Sequence, residues 1–234
     1  MNLLRDGGRP LVIGHRGAAA VAPENTMQSL RAAVAARADL VEFDVGPDLR
    51  LAHSPSEAPE EQVTLDEALD FLRSAGVGVH VDVKRPGYEE QIAIALRRHD
   101  VVTRTVIATA YPVTARRLRV LAPGARRAIG YPRDRYGMSR LRWPGALTRG
   151  GAAALRAATP GRIGLLLATS RADVLALHHT LCSRAAVRLA HARGVPVLGW
   201  TANRPEAVRR LDALGVDAVV SDDPEMALAT LLAP

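Results

Sequence analysis

Acidic and apolar residues alternate between positions 39 and 45, and this spacing could support chemistry. Glu42 and Asp44 are two residues apart, so on a β-strand both side chains lie on one face and the apolar residues between them lie on the other. Buried carboxylates a few ångströms apart are unfavourable unless a cation lies between them, and carboxylate oxygens suit hard ions such as Mg²⁺ and Ca²⁺. The pattern therefore predicts a divalent metal site.

A second strand, predicted over 77–84, repeats this alternation, with valines on one face and His80, Asp82 and Lys84 on the other. Asp82 would be a third carboxylate for the same ion. This repetition disfavours the alternative that the first two carboxylates are a solvated pair on an exposed edge strand. Lys84, the only lysine of the chain, would bind a phosphate oxygen; the alternative is a lysine that extends to solvent at a strand end. His80 lies deeper in the strand and is interpreted as a core histidine with a hydrogen bond.

Two histidines and an arginine lie close to the acidic strand in the sequence. His15, Arg16 and Gly17 end an apolar run, and His53 follows the acidic strand. This combination indicates metal-assisted chemistry on a phosphate ester, in which the metal, Arg16 and Lys84 neutralise the phosphate. One of His15 and His53 would remove a proton from a nucleophile and the other would protonate the leaving alkoxide. The sequence leaves open which histidine is the base.

Taken in order, these motifs resemble the glycerophosphodiester phosphodiesterases over nearly the whole chain. The matching pieces are His15-Arg16-Gly17, Ala22-Pro23-Glu24-Asn25-Thr26, Glu42-Phe43-Asp44, His53, Asp82-Val83-Lys84, Trp200-Thr201-Ala202-Asn203, Gly215-Val216-Asp217 and Ser221-Asp222-Asp223-Pro224. The resemblance implies a TIM-type barrel that hydrolyses glycerophosphodiesters to glycerol 3-phosphate and an alcohol. It also implies attack by the neighbouring glycerol hydroxyl, which gives a cyclic phosphate that water then opens.

The residues expected to carry this reaction fall into three groups. They are His15 and His53 as catalytic residues, Arg16, Lys84 and Trp200 as substrate-binding residues, and Glu42, Asp44 and Asp82 as ligands of one divalent cation, Mg²⁺ or Ca²⁺. Three features depart from the resembled family. Ser54 follows His53 where the family has Asp, and Asp82 replaces a Glu, so we expect either a water between Asp82 and the ion or weak metal affinity. Only about ten residues, 54–63, replace an inserted segment, which predicts a more open mouth that accepts bulkier diesters.

Two other functions remain open from the sequence. One is a lysophospholipase D-like or sphingomyelinase D-like barrel enzyme, which would use the same residues with a longer lipid groove. The other is a phosphate-binding barrel without catalysis, which predicts a lost histidine or carboxylate, whereas every chemical type is present here. An assay of glycerophosphodiesters against lysolipids, with and without added metal, would distinguish them.

Alternation of strands and helices along the chain predicts a parallel sheet, and eight strand–helix pairs predict one α/β domain over residues 1–234, a closed TIM-type (β/α)8 barrel. Predicted strands are 11–15, 39–45 (extended by 49–53), 77–84, 104–110, 126–131, 172–178, 195–201 and 217–221. Predicted helices are 25–37, one from Thr64, 87–99, one from Pro112, a long helix with irregular flanks within 132–170, 182–192, 205–214 and 224–232. Glu24 and Asn25 are either site residues or caps of the first helix, with even odds. Asn203 and Asp222 are interpreted as helix caps, and His178 and His179 as rim residues without a role.

Composition agrees with a cytoplasmic enzyme. The chain has 234 residues, of which 48% are hydrophobic and only 3% aromatic, so Ala, Val and Leu must fill the core. A single cysteine, Cys182, rules out an internal disulfide framework. We find no apolar run long enough to span a membrane and no signal peptide. The net charge of +7 comes from scattered arginines, which disfavours nucleic-acid binding and favours anionic substrates or lipid surfaces; the oligomeric state stays open.

Overall fold

The computed structural model describes residues 2–54, 62–132 and 145–233, and within these residues the chain forms a closed barrel of eight parallel strands. The strands are β1 (Leu11–Gly14), β2 (Leu40–Val45), β3 (Gly78–Val83), β4 (Thr105–Thr109), β5 (Arg126–Tyr131), β6 (Val174–His178), β7 (Val197–Trp200) and β8 (Ala218–Ser221). The helices that follow them are α1 (Met27–Ala35), α2 (Leu65–Ala75), α3 (Glu89–Arg98), α4 (Pro112–Leu121), α5 (Gly145–Ser170), α6 (Arg184–His191), α7 (Pro205–Leu214) and α8 (Pro224–Leu232). Each strand pairs with its neighbour in sequence, and β1 also pairs with β8, which closes the barrel. The predicted fold is confirmed.

Alternation along each strand separates two hydrophobic layers. On β2, Val41, Phe43 and Val45 pack against the surrounding helices, whereas Leu40 lies in the barrel interior with Ile13 of β1. The next two interior positions of β2 are Glu42 and Asp44, so the predicted inward orientation of both carboxylates is confirmed.

The residues that cap the helices explain why the predicted start of α1 was wrong and that of α2 was right. Helix α1 begins two residues later than predicted because Thr26 is its N-cap, with its side chain accepting a hydrogen bond from the Ser29 amide. Glu24 and Asn25 therefore do not cap this helix. Thr64 does cap α2, in a capping box with Glu67, as predicted.

Helices α7 and α8 also begin on caps other than those predicted. The residue at the N-cap of α7 is Arg204 and that of α8 is Asp223, whose carboxylate accepts from the Met226 amide. The interpretation of Asn203 and Asp222 as helix caps is therefore wrong. Both lie one residue before a cap, which leaves their side chains available to the barrel mouth.

Three aspartates fasten pairs of strands at the opposite, N-terminal end of the barrel. Asp39, Asp173 and Asp217 each directly precede a strand, β2, β6 and β8 respectively. In each case one carboxylate oxygen accepts from a backbone amide of the preceding strand of the barrel, at 2.7, 3.1 and 2.7 Å. Each carboxylate also contacts a basic side chain, in the same order Arg9, Arg127 and His191. These contacts set the register of β1–β2, β5–β6 and β7–β8 where the strands begin.

Helix α5 confirms the long helix predicted within 132–170. It has 26 residues and carries Pro160 inside it. The residues before it, 133–144, lie outside the described residues. In the part of the chain that the structure describes, none of the helices combines the length and the apolar character that a membrane crossing needs.

Candidate active site at the barrel mouth

Three carboxylates meet where β2 and β3 end. Asp44 pairs in register with Asp82, and Glu42 lies two residues earlier on the same face of β2. One oxygen from each carboxylate can be chosen so that all three lie within 4.8 Å of one another. Glu42 and Asp44 are buried, and the Asp82 side chain is 30% exposed. The structure thus brings together the three predicted metal ligands.

Oxygen-only donors of this kind fit a hard divalent cation. Oδ1 of Asp44 is buried and lies 2.5 Å from Nζ of Lys84, so this oxygen already faces a positive charge, as a metal ligand would. The site contains three carboxylates but only two basic side chains that are always charged, Lys84 and Arg16. A further positive charge would therefore be electrostatically favourable there. The residues present therefore fit a divalent ion.

Lys84 contacts the carboxylates more closely than the sequence suggested. Its Nζ lies 2.5 Å from Oδ1 of Asp44 and 2.6 Å from Oδ2 of Asp82. Burial alone would lower the pKa of Lys84, but Asp82 and Asp44 outweigh it and raise that pKa. The ammonium is therefore charged and held among the predicted metal ligands. A phosphate oxygen would approach it as an additional partner.

The two buried carboxylates of β2 differ in their acidity. Burial and the nearby Asp44 raise the pKa of Glu42 to about 8. Burial would also raise the pKa of Asp44, but Lys84, His53 and Arg16 outweigh it and hold that pKa well below its usual range. Asp44 is thus the fixed negative charge of the site, and Glu42 is the group that most needs a cation to remain ionised.

Arg16 ties the first loop to the acidic cluster. Its backbone amide donates to Oε2 of Glu42 at 2.7 Å, and its guanidinium lies 3.1 Å from Asp44 and 2.6 Å from Glu24. Arg16 has φ +50° and the next residue, Gly17, has φ +85°. A Cβ on Gly17 would lie only 2.4 Å from the Ser29 backbone, so this turn requires glycine. Arg16 was predicted as a phosphate ligand, and these contacts make it a structural part of the acidic cluster as well.

His15 is held from behind by a carboxylate that was predicted to be a helix cap. Nδ1 of His15 lies 2.5 Å from Oδ1 of Asp222, and the Asn203 side-chain amide donates to the other oxygen of Asp222. Burial would lower the pKa of His15, but the hydrogen bond with Asp222 and the charge of Glu42 together outweigh it, and the pKa is raised. Nε2 of His15 lies 3.9 Å from Glu42. His15 is thus oriented with Nε2 toward the metal ligands.

His53 reaches the same cluster from the other side. Its Nδ1 lies 3.0 Å from Nη2 of Arg16 and 3.3 Å from Oδ2 of Asp44. The guanidinium can only donate and the carboxylate can only accept, so the two contacts require opposite tautomers of the His53 ring. Both predicted catalytic histidines therefore lie at the mouth, and each is fixed through its Nδ1.

Asn25 is a site residue that the sequence left undecided. It has φ +60°, a conformation that Asn tolerates better than most residues. Its buried amide donates to Oδ2 of Asp44 at 3.1 Å, and its carbonyl oxygen accepts from the Asp44 backbone amide at 3.0 Å. Asn25 therefore holds Asp44 at both its backbone and its carboxylate. Its position directly before the N-cap Thr26 made it resemble a capping residue.

His80 is buried in the barrel interior, as predicted, but the expected hydrogen bond is absent. Among the residues that the structure describes, neither ring nitrogen has a hydrogen-bond partner. Burial lowers the pKa of His80 to about 4, so the ring is neutral. The inward neighbours on β4 at this depth, Val106 and Ala108, offer no polar group, and Glu42, the in-register neighbour on β2, accepts from the Arg16 amide.

Trp200 ends β7 on the side of the mouth away from the carboxylates. Its ring packs edge-on against His178 at 5.2 Å between ring centroids, and it is partly buried against the barrel interior. Its role as a substrate-binding residue stays a prediction. Most of the segment after His53, residues 55–61, lies outside the described residues, as does the expectation of a more open mouth that rests on it.

Comparisons with known proteins agree with this geometry. The profile of the "Glycerophosphoryl diester phosphodiesterase family" matches residues 15–46 and 147–226. The Bacillus subtilis (strain 168) protein provisionally named glycerophosphodiester phosphodiesterase YhdW is 23% identical over 253 residues, covering 92% of this chain and 95% of that protein. His53, Asp82 and Lys84 lie between the two matched segments, and the fold brings them to the same mouth.

Solved structures give the same fold. An Oleispira antarctica phosphodiesterase in complex with the product sn-glycerol-3-phosphate superposes with a TM-score of 0.73 at 21% identity, covering 96% of this chain and 98% of that chain. A glycerophosphodiester phosphodiesterase from Agrobacterium tumefaciens str. C58 gives 0.70 at 18% identity, covering 94% and 99%. At these identities the likeness concerns the fold.

Proposed function

We propose that the chain, which matches the glycerophosphoryl diester phosphodiesterase family over residues 15–46 and 147–226, is a member of that family and hydrolyses glycerophosphodiesters to glycerol 3-phosphate and an alcohol. One observation carries this proposal. Glu42, Asp44 and Asp82 converge at the carboxyl ends of β2 and β3, between His15 and His53. The whole of 1–234 would act as one such barrel domain. The product bound in the Oleispira antarctica phosphodiesterase, sn-glycerol-3-phosphate, is consistent with this choice.

Glu42, Asp44 and Asp82 would hold one divalent cation, Mg²⁺ or Ca²⁺. When bound, the ion supplies positive charge that polarises the phosphoryl group. Lys84 and Arg16 would add fixed positive charge beside the phosphate, because both pKa values are raised and both side chains stay charged. Burial in the mouth strengthens these interactions relative to water. Trp200 would line the pocket beside the substrate.

The contacts of His15 favour distinct roles for the two histidines. His15 points Nδ1 at the Asp222 carboxylate, which can only accept, so Nδ1 carries the proton and Nε2 has a free lone pair. Nδ1 of His53 lies near both a donor, Arg16, and an acceptor, Asp44, so its contacts do not fix the position of its proton. Because of its free lone pair, we assign His15 as the general base that takes a proton from the glycerol hydroxyl. This leaves His53 as the general acid that protonates the leaving alkoxide.

The test is release of choline from glycerophosphocholine and from lysophosphatidylcholine, with glycerol 3-phosphate and its acylated form as the respective second products. We expect activity on the glycerophosphodiester to disappear in excess chelator and to return with Mg²⁺ or Ca²⁺, because the three carboxylates are the proposed ligands of a cation that polarises the phosphoryl group. We expect His15→Gln and His53→Gln each to lower kcat by roughly 10²–10⁴-fold with the fold intact.

His99→Gln is the matched control, since His99 caps the end of α3 and contacts Asp66 on the surface. It should retain wild-type turnover. Full activity in excess chelator would contradict the metal role. Wild-type turnover in His53→Gln would remove that residue from the mechanism, and activity confined to the lysolipid would favour the lysophospholipase D alternative.

A further inference from the structure

His178 ends β6 at the mouth, opposite the acidic cluster. Val174 and Ala176 of β6 lie in the barrel interior and Leu175 and Leu177 face the helices, so alternation directs His178 inward. In the order of eight strands, β6 is four strands from β2 in either direction, which places it across the mouth from Glu42 and Asp44. His178 therefore lies beyond the reach of the scissile phosphate, where an arm of the substrate would extend.

Contacts with three residues hold the His178 ring in one orientation. Its Nδ1 lies 2.8 Å from Oγ1 of Thr180 and accepts from the Thr180 backbone amide at 3.4 Å. The ring also packs against the rings of Trp200 and His179, at 5.2 and 4.6 Å between centroids. A side chain fixed in this way needs little further ordering when a ligand binds.

These contacts also determine where the ring proton lies. A backbone amide can only donate, so Nδ1 of His178 is an acceptor and the proton is on Nε2. Burial, and after it the charge of Arg210, lowers the pKa of His178, so the ring is neutral. Among the described residues, Nε2 has no hydrogen-bond partner, and it remains available as a neutral N–H donor at the mouth.

We propose that His178 selects substrates by donating a hydrogen bond from Nε2 to a hydroxyl oxygen on the alcohol arm of the diester. The inference rests on the proposed function, because it assumes that the phosphate lies at the acidic cluster and that the alcohol arm crosses the mouth toward β6 and β7. A neutral donor discriminates by hydrogen bonding rather than by charge. It would favour alcohols that carry a hydroxyl over apolar alcohols of the same size.

A matched pair of substrates isolates this contact. In one glycerophosphodiester the alcohol arm is 3-hydroxypropyl, and in the other it is n-butyl, so a hydroxyl is replaced by a methyl of similar size and neither arm has a hydroxyl vicinal to the ester oxygen. A single neutral hydrogen bond predicts that the wild type prefers the first by roughly 3- to 10-fold in kcat/KM. The ratio of the two constants is unaffected by how much of a variant is folded.

Two substitutions separate the donor from the structural contact with Thr180. The amide of Asn reaches the position of Nδ1, so His178→Asn keeps an acceptor for the Thr180 amide but loses the donor. The amide of Gln reaches the position of Nε2, so His178→Gln keeps a donor. We expect His178→Asn to lose the preference between the two substrates and His178→Gln to retain part of it, while His99→Asn, a surface control, leaves it unchanged.

The outcomes distinguish this inference from the function on which it rests. A wild type that cleaves both substrates equally well, or a preference that survives in His178→Asn, would overturn the role of His178 and leave the phosphodiesterase activity standing. Loss of the preference in His178→Gln but not in His178→Asn would show that only the contact with Thr180 matters. Failure of the wild type to cleave either substrate would refute the proposed function, and the inference with it.

Discussion

At the scale of single residues, the mouth is organised by side chains that hold other side chains. Asp222 orients His15, Asn203 holds Asp222, and Asn25 holds Asp44. These supporting residues do not need to touch the substrate. They fix the nitrogen of His15 and the oxygens of Asp44 in place, which reduces the reorganisation that the reaction requires.

Asp222→Asn tests the support of His15. The amide offers a weaker acceptor to Nδ1, so we expect kcat to fall at least about tenfold with little change in KM. The hydrogen bond that His15 donates to Asp222 raises the pKa of His15, so its weakening should move the acidic limb of the kcat/KM profile to lower pH.

Asp223→Asn is the control, because Asp223 is adjacent in sequence but caps α8. It should lower the melting temperature slightly and leave the pH profile unchanged. A wild-type profile in Asp222→Asn would show that Asp222 does not act through His15.

Sequence reasoning succeeded for residues whose role follows from strand alternation. Because side chains alternate between the two faces of a strand, the sequence predicted that Glu42, Asp44 and Asp82 face inward, and the structure brings them together. It failed for Asp222 and left Asn25 undecided, since Asp222 meets His15 only when β8 closes against β1. A side chain near a helix start has two uses, capping or reaching the mouth, and only the three-dimensional position of the neighbouring element decides between them.

At the scale of elements, carboxylates have different roles at the two ends of the barrel. At the mouth they form an acidic cluster, whereas at the strand starts Asp39, Asp173 and Asp217 fasten neighbouring strands. Asp217 is the most buried of the three and accepts from the amides of Arg5 and Val197 and from Nε2 of His191.

Asp217→Ala should therefore destabilise the fold without changing the chemistry. It leaves buried backbone amides without an acceptor, which predicts a loss of about 2–4 kcal/mol in the free energy of unfolding, measured with urea. The fraction that remains folded should keep the wild-type KM.

Asp70→Ala is a matched control on α2, where the carboxylate contacts Arg73 in solvent. It should leave the unfolding midpoint unchanged. Equal effects of the two substitutions would argue against the strand-fastening role.

Element boundaries were less predictable than element types. All eight strands were predicted, and β5, α7 and α8 have the predicted bounds. Elsewhere the ends differ by a few residues, because a helix begins where a cap bonds the first free amide. In α1 that cap is Thr26 rather than a residue earlier in the run.

At the scale of the whole molecule, the single cysteine reports on the integrity of the barrel. Cys182 is fully buried between β6 and α6, and burial raises its pKa to about 12. Thiol reagents attack the thiolate, so the folded protein should react at pH 8 no faster than it unfolds.

Labelling of Cys182 should therefore be slow in buffer and complete in denaturant, with free cysteine as the reference for the reagent. The denaturant midpoint of labelling should coincide with that of far-UV circular dichroism. Rapid stoichiometric labelling in buffer would show that the wall formed by β6 and α6 opens locally.

The position of Lys84 has a consequence for covalent modification. It is the only lysine of the chain, and its ammonium lies between Asp44 and Asp82 with a raised pKa. Acylating reagents and acetyltransferases need an uncharged amine, and this side chain, charged and held between two carboxylates, does not offer one. All other positive side-chain charges outside the histidines belong to arginine, so acetylation cannot tune the surface charge of this protein. Amine-reactive probes will leave the barrel mouth unmodified.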